Sequence, residues 1–473
     1  MENLNEQYNN DIRFGVKSFI TVCAILLGIM IFVGILTFVI PAGQYLVDDN
    51  GNIIPDSFTF IESETRLPVF RWFTAPIEAL VIGQGNINII QIIAVLLALG
   101  GTFKVLDRTG GLSAIVKIVI EKYYHKRYGM IWIITLIMML LASCFGLQEE
   151  LLILFPLFLS FSRAMGWGNM QAISLVLVTT GVGFTAAMFN PFTVGIASEL
   201  AGVDILDGLL YRVMIFLILY VITSFYLVRN AKADEKKNGN SNFNDFVHIT
   251  DEEKRSYAKK AKSTALLFLS VLVVIVISSV VPFLADLGIG MIAMTLAFIV
   301  GTFILGQKAF GSVKTTAKHF LSGAFDTAPA IVIILLAFSV KYIAENGNIL
   351  HTLFYYCHSF ISGRSPYFGA IMLYLLVLVL EFFIPGSTAK AMLIIPLLTL
   401  APLPGISENI IILAFLFGDG YTNVLYPTCG TLVVGLSLAE IGYVKWLKKT
   451  GLFQLMLFVL SILFLFIAVY IGL

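Results

Sequence analysis

Apolar runs of about 18 residues or more follow one another along the whole chain, each long enough to cross a hydrocarbon core of roughly 30 Å as a helix. Polar or Gly/Pro-bearing stretches divide them, and no period-two alternation is visible, so the runs predict helices and not barrel strands. The first run, 18–40, ends at Pro41-Ala42-Gly43. It is too long for a signal-peptide core and has no small-residue cleavage site before Pro41, so it is expected to stay as a membrane helix. The pattern then predicts a polar loop over 42–85, a helix over 86–106, a short amphipathic piece over 112–124, and two apolar arms over 128–145 and 149–162. A helix over 170–203, interrupted at 181–191, and a helix over 206–228 complete a first half, 1–228. The hydrophilic segment 229–262, with an Asn/Gly/Lys-rich middle, reads as a flexible linker. The second half, 263–473, shows helices over 264–285, 289–306 and 323–343, arms over 367–384 and 388–402, an interrupted helix over 409–439 and a last helix over 450–473.

The two interruptions share a motif. Gly181-Val182-Gly183-Phe184-Thr185 leads to Asn190-Pro191, and Gly418-Asp419-Gly420-Tyr421-Thr422-Asn423 leads to Pro427-Thr428, so Gly181, Gly183, Pro191, Gly418, Gly420 and Pro427 are the expected helix breaks. The arms are joined by Gly146-Leu147-Gln148-Glu149-Glu150 in one half and Pro385-Gly386-Ser387-Thr388 in the other. Leu96-Leu97-Ala98 returns as Leu335-Leu336-Ala337 and Pro156 as Pro396, and all these pairs lie about 236 to 240 residues apart. The chain therefore predicts an internal repeat.

Charge gives the repeat a direction. The loop over 42–85 is acidic (Asp48, Asp49, Asp56, Glu62, Glu64, Glu78) with only Arg66 and Arg71 as basic residues, whereas Lys and Arg crowd 104–127 and 229–262. By the positive-inside rule the first is external and the others cytoplasmic, with the N-terminus inside and the C-terminus outside. Nine crossings and two hairpins satisfy this path, and every matched element then runs in opposite directions. An inverted repeat of this kind builds its site near the midplane from interrupted helices. Each arm pair could also be two full crossings, since parity is the same either way.

Composition narrows the class. The 473 residues are 58% hydrophobic and 12% charged, which fits an all-α polytopic membrane protein and no soluble domain of this size. Four scattered cysteines form no CxxC pair and five histidines no metal-ligand spacing, so no metal or cofactor is expected. No Walker motif, Ser-Lys pair or nucleic-acid signature is present, which argues against a pump, an enzyme or a nucleic-acid partner.

The candidate chemistry lies where polar groups sit inside apolar segments. An acid there costs about 2.5 to 3.5 kcal/mol on insertion scales, so Glu149, Glu150 and Asp419 should face protein or a water-filled cavity. Glu149 and Glu150 either cap a helix arm or bind substrate or a coupling cation; Asp419 either stabilises a local turn or binds. Lys390 either pairs with Glu381 or another acid, or holds a substrate carboxylate. Gln148, Asn190, Thr193, Ser387, Thr388, Thr422, Asn423 and Thr428 supply neutral hydrogen-bonding groups, while the breaks would free carbonyls for Na⁺ and the arms starting at Gln148 and Ser387 would aim helix N-termini at a carboxylate.

Through Ile40-Pro41-Ala42-Gly43, Gly146-Leu147-Gln148-Glu149-Glu150, Asn190-Pro191-Phe192-Thr193-Val194-Gly195-Ile196-Ala197 and Phe417-Gly418-Asp419-Gly420-Tyr421-Thr422-Asn423, the chain resembles the four-carbon-dicarboxylate anaerobic carrier-like family of the ion transporter superfamily, most closely its YfcC branch. It departs from that family in the apolar run Leu151-Leu152-Ile153-Leu154-Phe155, where relatives tend to carry a threonine. The resemblance implies a secondary carrier in a bilayer, with a scaffold and an elevator-type transport domain, often a homodimer. Its substrates would be amino acids, as in arginine/ornithine exchange, or dicarboxylates coupled to Na⁺ or H⁺. Three acids against Lys390 favour amino acids with a cationic end, with four-carbon dicarboxylates as the alternative; an ion channel is the rival from another class.

Overall fold

The structure, a computed structural model, describes residues 16–46, 54, 57–61, 67–82, 86–238, 251–280, 290–361, 364–384, 386–400 and 405–473. The first half contains α1 (Val16–Val39), a two-stranded antiparallel ribbon of β1 (Gly43–Gln44) and β2 (Thr59–Phe60), α2 (Phe70–Val81), α3 (Asn86–Arg108), α4 (Gly111–Tyr123), α5 (Arg127–Phe145), α6 (Phe155–Ala164), α7 (Gly168–Thr185), α8 (Ile196–Ala201) and α9 (Leu209–Asn238). The second contains α10 (Asp251–Val280), α11 (Gly290–Phe310), α12 (Val313–Thr327), α13 (Pro329–Asn346), α14 (Leu350–Ile361), α15 (Pro366–Phe383), α16 (Ser387–Leu400), α17 (Glu408–Gly420), α18 (Gly430–Leu438) and α19 (Tyr443–Ile471). Among the described residues, α1, α3, α5, α9, α11, α13, α15 and α19 are long and apolar enough to cross a membrane, and the chain is a polytopic membrane protein.

Four sequence expectations change. The supposed linker is largely helix: α9 runs on to Asn238 and α10 starts at Asp251, because Lys, Glu and Ala continue a helix past its apolar part. Of 229–262, 239–250 lies outside the described residues. Within 42–85, α2 buries Trp72, Ala75 and Ala79 and is too short for a span-length pattern to reveal it; Asp48, Asp49, Asp56, Glu62, Glu64 and Arg66 lie outside the described residues. The helix over 323–343 is two helices, since Pro329 suits a first helical position better than an interior one. The 12-residue α14 lies between the runs that hydropathy selects.

The Gly-x-Gly motifs are also not where the helices break. α7 continues through Gly181 and Gly183 to Thr185, and α17 reaches Gly420 before a 3-10 turn, Tyr421–Val424; the interruptions fall after them, at 186–190 and 425–429. These glycines serve close approach instead. A Cβ on Gly183 would stand 2.8 Å from the Met139 carbonyl of α5, and one on Gly420 would strike the Thr185 backbone of α7. Gly181 faces Val424 and Gly418 faces Val377 in the same manner. The motifs of the two halves thus touch each other.

The packing plan occurs twice. α5 lies on α7 as α15 lies on α17; α9 packs on α5 and α7 as α19 packs on α15 and α17; and α12 covers α3 as α2 covers α13. α2 is fixed to α13 by charge: Arg71 donates to Glu78 Oε2 through Nε and Nη2 at 2.9 and 2.6 Å and to Tyr342 Oη at 2.6 Å, while Tyr342 donates to the same carboxylate oxygen at 2.7 Å.

Two outcomes follow from these contacts. Gly420→Ala forces apart two backbones and should cost about 1 to 3 kcal/mol, read as a lower unfolding temperature in detergent, whereas Gly451→Ala on α19, with open space around it, should not lower the temperature and should raise it slightly. The Arg71 guanidinium holds the Glu78 carboxyl down at about 2, from an ordinary 4.5. A carboxyl depressed on folding adds stability above its unfolded value and loses it as pH falls toward the folded one. Protection of the α2 amides against hydrogen exchange, relative to the intrinsic rate at each pH, should therefore stay high at neutral pH and fall between pH 4.5 and 2, and Glu78→Gln should remove that step.

Candidate functional site

The first hairpin joint begins with a helix end that only a left-handed residue can close. Gly146 has φ 70°, and its N–H and that of Leu147 donate to the Ala142 and Leu141 carbonyls at 3.0 and 3.4 Å. A side chain at Gly146 would run into Asn190 Oδ1 and the Phe192 ring, so the hairpin tip rests on the interruption of α7. Ser143, just before the tip, holds that interruption in place. Its Oγ donates to the Ala186 carbonyl at 2.6 Å and accepts the Met188 N–H at 3.0 Å. Its carbonyl accepts the N–H groups of Met188, Phe189 and Asn190. Asn190 then caps a π turn, Pro191–Gly195, its Oδ1 accepting the Phe192 N–H at 2.9 Å.

The two acids after the tip separate in role. Glu150 Oε2 accepts the Gln148 N–H at 3.2 Å, so this acid caps its own turn; the second arm opens as a 3-10 turn, Glu150–Leu154, ahead of α6. The helix N-terminus expected at Gln148 is therefore covered by the chain's own carboxylate. Glu149 turns the other way and accepts from Thr431 Oγ1 at 3.3 Å, on the first turn of α18 in the other half. It also borders a small cavity with Ile92, Val95 and Met294.

At the second joint the charges are closed on one another. Lys390, on the first turn of α16, is fully buried, with its Nζ against Glu381 of α15 and 2.8 Å from Asp419 Oδ1 of α17. Ser387 Oγ donates to Asp419 Oδ2 at 2.8 Å. The lysine is thus an ion-pair partner of Glu381, the first of the alternatives open from the sequence, and Asp419 is occupied from two sides. Thr388 follows Ser387, half-buried.

The second interruption is likewise engaged by the protein itself. Thr422 Oγ1 donates to the Gly418 carbonyl at 2.6 Å and Asn423 Nδ2 to the Asp419 carbonyl at 2.9 Å, so both turn back onto their own helix. Trp446 Nε1 and Gln454 Nε2 of α19 donate to the Val424 carbonyl at 2.8 and 3.2 Å, and Tyr443 Oη to that of Leu425 at 2.8 Å. Together with Ala186, carbonyls expected to stand free for a cation already accept hydrogen bonds.

What is left over defines the candidate site. Among the described residues, the buried side-chain atoms without a hydrogen-bond partner are scattered over the fold, Thr135, Ser162 and Thr223 among them, but Gln148 Nε2, Asn190 Nδ2, Thr193 Oγ1 and Thr428 Oγ1 lie at the tip and the interruptions. Native proteins leave few such atoms, and a bound ligand is one way to satisfy them. Three of the four belong to the first tip and its interruption. α16 of the second hairpin packs on that π turn and on α8, while Glu149 of the first hairpin reaches α18, so each hairpin touches the other half's interruption. A cavity of about 690 Å³ adjoins the second hairpin at Ile384 and Leu393 and is lined on its other sides by Gly43, Arg71, Tyr342, Glu345, Asn346 and His351.

Sequence reasoning did not single out Ser143, Thr431, Tyr443, Trp446 or Gln454. Each is an ordinary polar or aromatic residue in an apolar run, and only Ser143 carried a signal: it stands three residues before a tip glycine.

Comparison with known proteins agrees on the class. The chain is 25% identical over 486 residues to the "Putative basic amino acid antiporter YfcC" of Escherichia coli (strain K12), covering 92% of this chain and 94% of that protein. An uncharacterized protein of Haemophilus influenzae is 23% identical over 373 residues, 77% of this chain and 72% of that one. The crystal structure of the Alcanivorax borkumensis YdaH transporter aligns over 96% of this chain and 98% of its own at 15% identity, with a TM-score of 0.43, too loose to bear on details of topology. The model of the DcuC family, C4-dicarboxylate anaerobic carrier, matches residues 19–470, and the chain belongs to that family of membrane transporters.

Proposed function

We propose that the protein is a secondary antiporter of amino acids with a cationic side chain. The observation that carries this is where the positive charge goes. Lys390 is committed to Glu381 and Asp419, whereas among the described residues neither Glu149 nor Glu150 takes part in an ion pair, and the charged neighbour of Glu149 is Glu150. A substrate that brings its own cation suits Glu149; a doubly anionic one would meet two acids and no unspent base. The amides Gln148 and Asn190 are donors for its carboxylate, with the Thr193 and Thr428 hydroxyls completing the set. The Escherichia coli relative, named "Putative basic amino acid antiporter YfcC", points the same way.

Access is inferred from the hairpins. Their second arms, the five-residue turn plus the 10 residues of α6 in one and the 14 of α16 in the other, fall short of the roughly 20 that a crossing needs, which suits tips that stop inside the bilayer. The doubled packing plan suits an inverted repeat with one hairpin from each side, and an elevator-type displacement of the two hairpins and interrupted helices would carry the site across. With 42–85 external, the cavity at Ile384 and Leu393 is the outer vestibule.

Counterflow into proteoliposomes tests the substrate. Vesicles loaded with arginine or ornithine should accumulate labelled arginine, and Glu149→Gln should lower the rate on the order of 10- to 100-fold, the loss of one charge-assisted contact. Accumulation driven only by succinate or fumarate would make the protein a dicarboxylate carrier, and current without exchange would make it a channel.

A further inference from the structure

Among the described residues, the ion cluster of the second hairpin has no counterpart in the first. Counting four residues on from the tip glycine reaches Glu150 after Gly146 but Lys390 after Gly386, so matching places carry opposite charge. Around Lys390 the groups are those that would hold a metal cation: the Glu381 carboxylate from α15, the Asp419 carboxylate from α17 at 2.8 Å, and Ser387, whose hydroxyl fixes the second Asp419 oxygen at 2.8 Å. All three charged side chains are at most 1% exposed. The cage sits where a hairpin tip meets a helix that is about to be interrupted, and the ammonium fills it. We propose that this junction is a monovalent-cation site whose cation is the tethered ammonium of Lys390, so that the second half holds its charge without a bound alkali ion.

The physical reason is the cost of the alternative. Two carboxylates brought together away from water repel strongly, and a single positive charge between them, shared through oxygen contacts, removes most of that repulsion. An alkali ion and an ammonium carry the same charge; the lysine differs in being covalently attached, so it never has to be captured from solution. The inference stands on the cage alone and needs no particular substrate.

The test is a melting experiment on the purified, full-length protein in NaCl, KCl, LiCl and N-methylglucamine chloride at matched ionic strength. Lys390→Ala empties the centre of the cage and leaves its oxygens. It should be recovered folded in NaCl and should melt at least about 3 °C higher at 150 mM Na⁺ than in N-methylglucamine, in excess of any such difference in the unmodified protein, as expected for a cation that binds only the folded state. The triple variant Glu381→Gln/Lys390→Met/Asp419→Asn, with no charge to balance, should show no excess over the unmodified protein. Stabilisation by K⁺ or Li⁺ in place of Na⁺ would support the site and identify the ion that fits. The proposal is overturned if Lys390→Ala shows no excess with any of the three ions, if it responds only to lowered pH, or if it cannot be recovered folded in any alkali salt. None of these readings involves transport, so a failure here leaves the substrate assignment standing, and a failed counterflow experiment leaves this one standing.

Discussion

Charge that cannot reach water is the constraint on which this molecule is built. Lys390, Glu381 and Asp419 come from three different helices, and none of the three can be left alone inside a bilayer at tolerable cost. Their meeting therefore fixes α16 against both α15 and α17, and with them the second hairpin against the second interruption. The first hairpin is held by other means. There the neutral Ser143 gathers the loose backbone of 186–190, and Gly146 lets the tip settle onto Asn190. One half is locked by ions and the other by backbone hydrogen bonds, and among the described residues the acids of the first tip have no basic partner.

The same economy governs the interruptions. A broken helix in lipid must have its freed backbone groups satisfied from elsewhere. Here α19 sends Trp446, Gln454 and Tyr443 to the second interruption, and α5 sends Ser143 to the first. Long, nearly featureless membrane helices thus carry a few polar side chains whose purpose is to let a neighbour be irregular. Among the described residues, the buried polar atoms that no neighbour reaches include those of Gln148, Asn190, Thr193 and Thr428, at the first tip and the two interruptions.

Much of this was legible in the residues. Hydropathy alone marked the long helices, since lipid demands an unbroken apolar run, and the arms over 128–145 and 367–384 agree with α5 and α15 to within a residue. What failed were elements whose evidence lies outside hydropathy: α2 and α14 are short and half-apolar, and the ends of α9 and α10 are polar. Glycine misled for a specific reason. In water a Gly-x-Gly stretch weakens a helix, but between packed helices it removes the side chains that would hold them apart, so the same residues mark a contact and not a break. The lysine could be seen as a partner for Glu381 but not as the occupant of a cage, because Asp419 joins it only through the packing of α17 on α15 and α16.

The contact of Gly420 with Thr185 joins the two halves at their most similar point, backbone against backbone with no side chain between. Slipping α17 past α7 by a single residue would drive Asp419 or Tyr421 into that space, and rotating either helix would do the same. The crossing behaves as a rivet. The two interrupted helices are thereby held in a single register, and sliding one along the other would have to break this backbone contact first.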